Sequence, residues 1–233
     1  MSAPDILRCP VCGGGLDESD PESLSCPAHG EKFPRDHGVY DLRLHRDVPV
    51  EPSPARRKTL QAAFQAQDAG QPFLDSLEEL LRGLEEVEAD RFMQILGEGR
   101  GSWFTILASR GSDIPGAVAA MPELLFLGNA LSGTVPALAI AGFHVTALDT
   151  SPERARFSQW RNVSRGLTSV RTLVAGHTRW LPFVDRAFDV VVEERGFPRA
   201  SPAFGHDLDE SRRVSRGELI VVGNNRLGYK RST

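Results

Sequence analysis

Cysteine is scarce in this chain, and a long apolar run is missing altogether. Three cysteines stand among 233 residues. A disulfide scheme would leave one thiol over and needs an oxidising compartment, for which Met1 to Arg8, lacking an apolar signal stretch, offers no support. No apolar segment approaches the ~20 residues of a membrane-spanning helix. An excess of one charge is also missing: 27 Lys and Arg against 31 Asp and Glu leave a net charge of -4. That balance gives no general attraction to phosphate backbones or anionic membranes, so nucleic acid is not indicated. The clusters Arg56-Arg57-Lys58 and Arg212-Arg213 are short and read as solvated faces. What remains is a globular chain with the cytoplasm as its default address, in which 40% hydrophobic residues are ample for a packed core.

The few cysteines are concentrated. Cys9-Pro-Val-Cys12 is followed by Cys26-Pro-Ala-His29, a C-x2-C and C-x2-H pairing that presents three thiols and an imidazole to one ion. This donor set predicts a tetrahedral zinc site with Cys9, Cys12, Cys26 and His29 as ligands. Each two-residue gap lets the chain turn back on itself, and Gly13, Gly14 and Gly15 supply a loose backbone. His37 is the rival fourth ligand, but His29 repeats the spacing of the first pair. With four protein ligands no position is left for water, so the metal is expected to be structural. A knuckle of this size has little core of its own, and metal binding worth on the order of 10 kcal/mol is expected to supply much of its stability.

Punctuation divides the rest. The zinc ribbon is expected over 1–45, closing near Phe33 to Leu42; the proline-rich and charged stretch 46–56 reads as a linker; 57–100 reads as a helical segment. Leu77, Leu80, Leu81, Leu84 and Val87 recur at helical spacing with Glu78, Glu79, Glu85 and Glu86 mostly opposite, which predicts one amphipathic helix from Phe73 to Leu96. It is expected to pack on the main domain, a lid over a substrate pocket being the other reading.

Residues 101–233 carry a different rhythm. Apolar runs at Leu124 to Leu127, Val145 to Leu148, Val170 to Val174, Phe188 to Val192 and Leu219 to Val222 alternate with helical stretches at Thr134 to Ala141, Pro152 to Arg165 and Asp207 to Val214. The expected fold class is α/β: a doubly wound, Rossmann-like parallel sheet of about five strands with helices on both faces. Its ligand should sit outside the carboxyl ends of the strands, where the winding reverses. The first turn, Gly128-Asn129-Ala130-Leu131-Ser132-Gly133, opens a helix whose free N–H groups and positive dipole end face that ligand. Asp149, twenty-one residues past Gly128, ends the second strand where a carboxylate accepts hydrogen bonds from both ribose hydroxyls of an adenosine. Gly128, Ala130, Gly133 and Asp149 are therefore the candidate cofactor-binding residues.

Leu124 to Glu153, followed by Leu181-Pro182-Phe183-Val184-Asp185-Arg186-Ala187-Phe188-Asp189-Val190-Val191-Val192, resembles the class I S-adenosylmethionine-dependent methyltransferases. Glu210 to Val214 and Gly217-Glu218-Leu219 are similar to that family's helix and turn before its fifth strand, so the resemblance covers roughly 120 to 225. The opening ribbon resembles the zinc-ribbon segment that precedes several methyltransferases, including a bacterial ribosomal-RNA guanine methyltransferase, with His29 where cysteine is usual. The resemblance implies S-adenosylmethionine as cofactor, a small-molecule or macromolecular methyl acceptor, and His177 at the position that meets the adenine. It also implies that Glu193 and Glu194, just after the fourth strand, lie where the acceptor meets the methyl group, as base or anchor, with Arg195 and His206 as weaker candidates.

Three departures stand out. Phe126 occupies the place of an acidic residue near the methionyl amine, Ala130 a glycine place, and His177 the place of the acidic residue before the Leu-Pro-Phe segment. Only Gly223 to Thr233 follow the fifth expected strand, where the family's sheet continues with two more. A short form, a fragment, or an edge covered by a partner or a second copy are the readings of that end. Two alternative functions stay open: a non-catalytic methyltransferase-fold module acting in assembly or regulation, and an NAD- or FAD-binding protein, since Gly128-x-Ala130-x-x-Gly133 with Asp149 fits a loose form of that fingerprint.

Overall fold

The computed structural model describes residues 6–44, 54–97, 121–175, 180–194 and 204–222. Four short strands open the chain: β1 (Asp17–Asp20), β2 (Ser23–Ser25), β3 (Lys32–Asp36) and β4 (Val39–Asp41). Three helices follow, α1 (Pro54–Asp68), α2 (Phe73–Arg82) and α3 (Glu86–Gly97). The remainder alternates: β5 (Glu123–Leu127), α4 (Thr134–Ile140), β6 (His144–Asp149), α5 (Pro152–Ser164), β7 (Val170–Val174), β8 (Phe188–Glu193), α6 (Phe204–Val214) and β9 (Ser215–Val221). None of the described helices is long and apolar enough to cross a membrane.

All five expected parallel strands form, but the sheet is larger than the five-stranded one expected. Nine strands join in the order β1-β2-β3-β4-β7-β6-β5-β8-β9. Strands β1 to β4 pair antiparallel, as a ribbon does. Then β4 pairs parallel with β7, Tyr40 opposite Leu173 and Asp41 opposite Val174, so the ribbon extends the main sheet. The core of the sheet is parallel throughout, β5 lying between β6 and β8 with Leu125 opposite Thr146 on one side and Val191 on the other. From β5 the chain winds through β6 to β7, and from β8 to β9 in the other direction. That reversal is the topological switch of a doubly wound sheet, and it opens a crevice at the carboxyl end of β5.

Glu-Leu-Leu-Phe-Leu forms β5 because a central parallel strand is apolar on both faces. On one face Leu125, Leu127, Leu148, Leu173 and Val191 pack with Val214 of α6. Ile6, Leu7, Leu24, Cys26, Phe33 and Leu42 belong to that same cluster, so the knuckle expected to have little core shares the core of the sheet. The segment before β8 is part of the join: Arg8 N–H donates to Pro182 O at 2.9 Å and Val184 N–H to Ile6 O at 2.8 Å. On the other face Leu124, Phe126, Val145, Val190 and Val192 pack with Val135 and Leu138 of α4.

The expected helix from Phe73 to Leu96 is two helices. Gly83 ends α2, its N–H shared between the carbonyls of Glu79 and Leu80, and Leu84 makes one more turn, its N–H donating to Leu81 O, before α3 starts at Glu86. The break lets both helices reach a third cluster, in which Leu60, Phe73, Leu80 and Phe92 pack on Leu131, Phe157 and Trp160. Edge-to-face ring pairs fix that junction, Phe73 against Phe157 at 5.1 Å and against Trp160 at 5.3 Å. The fifth strand also begins earlier than expected, at Ser215, directly after α6. Gly217 permits this early pairing, because a Cβ there would stand 2.4 Å from Asp189 O.

Candidate functional site

Two sites are assembled by separate means, one from local turns and one from the sheet. In the first, Cys9 N–H donates to Gly14 O and Gly13 N–H to Cys9 O, while Cys26 N–H donates to Glu31 O and Gly30 N–H to Cys26 O, all at 2.8–2.9 Å. These are two copies of one knuckle, each closed by a glycine in the left-handed region, Gly13 at φ 71° and Gly30 at φ 72°. The repeated Cys-Pro-x-(Cys/His)-Gly in the sequence is the signal for this symmetry, and Gly30 was the part of it that sequence reasoning missed.

The knuckles bring the four candidate ligands together. One donor atom from each of Cys9, Cys12, Cys26 and His29 lies within 4.8 Å of the others. Cys9 Sγ is 3.2 Å from His29 Nε2, and Cys12 Sγ is 3.6 Å from Cys26 Sγ. The edges of a tetrahedron with bonds of 2.0–2.3 Å are about 3.3–3.8 Å, so the donor set fits zinc. Backbone amides point at two of the sulfurs, Val11 N–H at Cys9 and Gly14 N–H at Cys12, each 3.4 Å away. The Gly14 amide, aided by the Cys26 thiol, pulls the Cys12 thiol down to about 7, whereas burial pushes Cys9 up to about 11. The rival ligand His37 is elsewhere, at the β3–β4 turn, with Nε2 3.2 Å from Asp68 and 3.4 Å from Asp36.

The second site is the crevice at the carboxyl ends of β5 and β6. Asp149 ends β6 with its side chain fully buried. Its carboxylate accepts from Ala130 N–H at 2.8 Å, from Ser151 N–H at 2.9 Å, and from Arg154 in a fork, Nε at 3.1 Å and Nη2 at 2.5 Å. Ser151 caps α5 by accepting from Arg154 N–H, with Pro152 at the first helical position, and this fixes Arg154 in the first turn facing Asp149. The positions offered to a ribose are thus held by protein donors, and Arg154 is the one of them that can leave, since its side chain is 34% exposed.

The glycine turn is likewise turned inward. A Cβ on Gly128 would meet the Phe126 ring at 3.0 Å and the Glu194 Cβ at 3.3 Å, so the glycine is required by the packing of Phe126, itself fully buried. Ala130 is also fully buried. The expectation of free N–H groups at the helix start does not hold. Ala130 N–H is taken by Asp149, Gly133 N–H donates to Ile95 O of α3 at 3.3 Å, and Thr134 N–H to Ser132 Oγ at 3.2 Å. From behind, Ser158 Oγ donates to Ala130 O at 2.7 Å and Arg161 Nη1 to Leu131 O at 2.7 Å. Neither residue was singled out from the sequence, because nothing local marks a polar residue on a helix as the brace of a distant turn.

Helix α3 lies across the crevice. Leu84, Val87, Phe92 and Ile95 line a cavity of about 340 Å³ with Asn129 and Arg154. Glu193, opposite Leu127 at the end of β8, is fully buried, while Glu194 is half-buried beside Gly128 and donates its N–H to Leu127 O at 2.8 Å. Asp149, Gly128, Ala130, Gly133 and Glu194 are therefore brought to one end of the sheet. His177 and Arg195 lie outside the described residues, as does the side chain of His206.

No protein-family model matches the chain, and no curated protein matches it. Among solved structures the chain is similar to a putative S-adenosyl-L-methionine-dependent methyltransferase from Methanococcus maripaludis, at 19% identity over 52% of this chain and 55% of that one, with a TM-score of 0.41. It is similar to a putative sarcosine dimethylglycine methyltransferase from Galdieria sulphuraria, at 22% identity over 48% and 42%, with a TM-score of 0.41. A SAM-dependent methyltransferase from Aquifex aeolicus is 19% identical over 52% and 71%, with a TM-score of 0.38. The chain spans about half the length of the first two of these structures.

Proposed function

We propose that this chain is an S-adenosylmethionine-dependent methyltransferase of unassigned acceptor, stiffened by a structural zinc ion. The observation that carries the reading is the carboxylate of Asp149 at the end of β6, beside the Gly128 turn, at the switch point of the sheet. The segment Leu181 to Val192, which leads into β8, supports the same reading by its resemblance. The cofactor supplies an electrophilic methyl group on a sulfonium, so the protein has to align a nucleophile, keep water out and take up a proton.

In this reading Asp149 accepts the ribose hydroxyls once Arg154 has swung out, and Ala130 N–H keeps the carboxylate aimed. Helix α3 covers the crevice and excludes water. Of the two carboxylates at the end of the fourth parallel strand, Glu194 is the better base or acceptor anchor, because Glu193, the last residue of β8, is buried to 0% exposure and Glu194 lies beside the turn. The resemblance assigns His177, which lies outside the described residues, to the adenine end. Asp149 suits the nucleoside end of the cofactor once Arg154 has moved, whereas Phe126 stands under Gly128 in the place where the resemblance expects an acidic residue for the amino-acid end.

A non-catalytic module is the second reading, favoured by the saturated Asp149 and the buried Phe126. The dinucleotide reading has less support, since the amides that would hold a pyrophosphate are already taken. Calorimetric titration and thermal shift with S-adenosylmethionine, its demethylated product, NAD and ADP separate the three. The methyltransferase reading expects binding of the first two ligands, lost in Asp149→Ala with zinc content unchanged. Silence with all four ligands overturns it and leaves the zinc-pinned module.

A further inference from the structure

Behind the glycine turn, on the side away from Asp149, an open groove of about 840 Å³ runs between α2, α3, α4 and α5. Phe73, Leu77, Leu96, Pro136 and Ile140 make its walls apolar, and Ile140 is 65% exposed. Among the described residues two cations, Arg161 and Arg165, line the same groove, against one acidic residue, the exposed Asp75.

Arg161 is the unusual member. It is only 5% exposed. Its Nη1 donates to Leu131 O at 2.7 Å, and its Nη2 to Ala130 O at 3.3 Å and Ser132 O at 3.4 Å. Those three carbonyls satisfy N–H groups but carry no charge to balance the guanidinium, and among the described residues the buried Nε has no hydrogen-bond partner. Among the described residues no carboxylate pairs with it; its charged neighbour is Arg165. Burial first, then Arg165, pull its pKa down to about 10. A buried guanidinium without a counter-charge is costly, because burial strips its hydration. An arriving anion would relieve that cost, and an apolar body attached to it would cover the exposed walls.

We infer that this groove binds an amphipathic monocarboxylate, its head against Arg161 and Arg165 and its alkyl body along Phe73, Leu77, Leu96 and Ile140. The inference does not depend on what occupies the Asp149 crevice, which lies on the other side of the turn.

The test is a calorimetric titration of the full chain with decanoate and with decanol, which share a body and differ in the charged head. Decanoate is expected to bind about tenfold or more tightly than decanol, the difference a charge-assisted contact makes. Ile140→Glu, a change at an exposed position of the apolar wall, should weaken both probes, decanoate by about tenfold more than decanol, with the thermal midpoint in place. Ala137→Trp should fill the groove and remove both. Equal affinity for the two probes, no binding of decanoate, or wild-type decanoate binding in Ile140→Glu and Ala137→Trp each overturns the site. These variants spare Arg161, whose removal would also release three carbonyls of the turn.

Discussion

In the proposed reading, Asp149 and Arg154 set the condition under which a nucleoside can enter. Their fork, with Nη2 at 2.5 Å, is a charge-assisted contact on a fully buried carboxylate. Arg154→Ala removes the competitor and leaves Ala130 and Ser151 to orient the carboxylate, so S-adenosylmethionine should bind about tenfold more tightly by calorimetry. Weaker binding would instead make Arg154 a ligand contact. A second residue-scale prediction concerns protons at the metal. The proposed zinc would take all three cysteines as thiolates; of these the Cys9 thiol, pushed up to about 11, would give up a proton on binding across the neutral range, whereas Cys12, at about 7, would do so only below that value. Zinc affinity should therefore fall as pH falls, and more steeply below about pH 7, where Cys12 adds its own tenfold per unit; competition against a chromogenic chelator reads both slopes.

The decisive element is β4. Three residues long, it turns the ribbon from an appendage into part of the sheet, and it does so beside a cluster that runs unbroken from Leu24 and Phe33 to Leu125 and Val191. Burial of each such side chain contributes roughly 1.5–3 kcal/mol. Phe33→Ala is thus expected to cost about 3–5 kcal/mol and to shift one cooperative transition followed both by tryptophan fluorescence and by far-ultraviolet circular dichroism. Two separated transitions would mean that the ribbon opens by itself. The sequence placed a zinc ribbon here but not this junction, because Val39-Tyr40-Asp41 is too short to carry a pattern that names its partner. Gly83 tells the opposite story: a glycine inside a helical rhythm is visible in the sequence, yet whether it is tolerated or ends the helix depends on the bend that brings Phe73 and Phe92 onto Phe157.

For the molecule as a whole, the shared core would make the proposed zinc a keystone for the sheet as well as for the ribbon. Chelation of zinc should lower the midpoint of the main thermal transition, with no separate early step, and added zinc should restore it. At the opposite end of the sheet β9 is the outermost described strand, with Glu218 exposed and Val221 46% exposed. That edge is where the expected partner or second copy would add a strand. Replacing Val221 by Lys should shift any concentration-dependent mass in sedimentation velocity toward the monomer.

By itself the sequence determined what short range encodes. Two-residue gaps between Cys9, Cys12, Cys26 and His29 bring the ligands together through local turns, apolar runs define five parallel strands, and an aspartate at a strand end places a carboxylate at the switch point. Tertiary structure decided what those groups have left to offer: Arg154 against Asp149, the Phe126 ring under Gly128, Arg161 behind the turn, and β4 on β7. The reason is physical. A period or a spacing fixes where a side chain stands on its own element, whereas its neighbours come from chain segments far away, and only packing chooses among them.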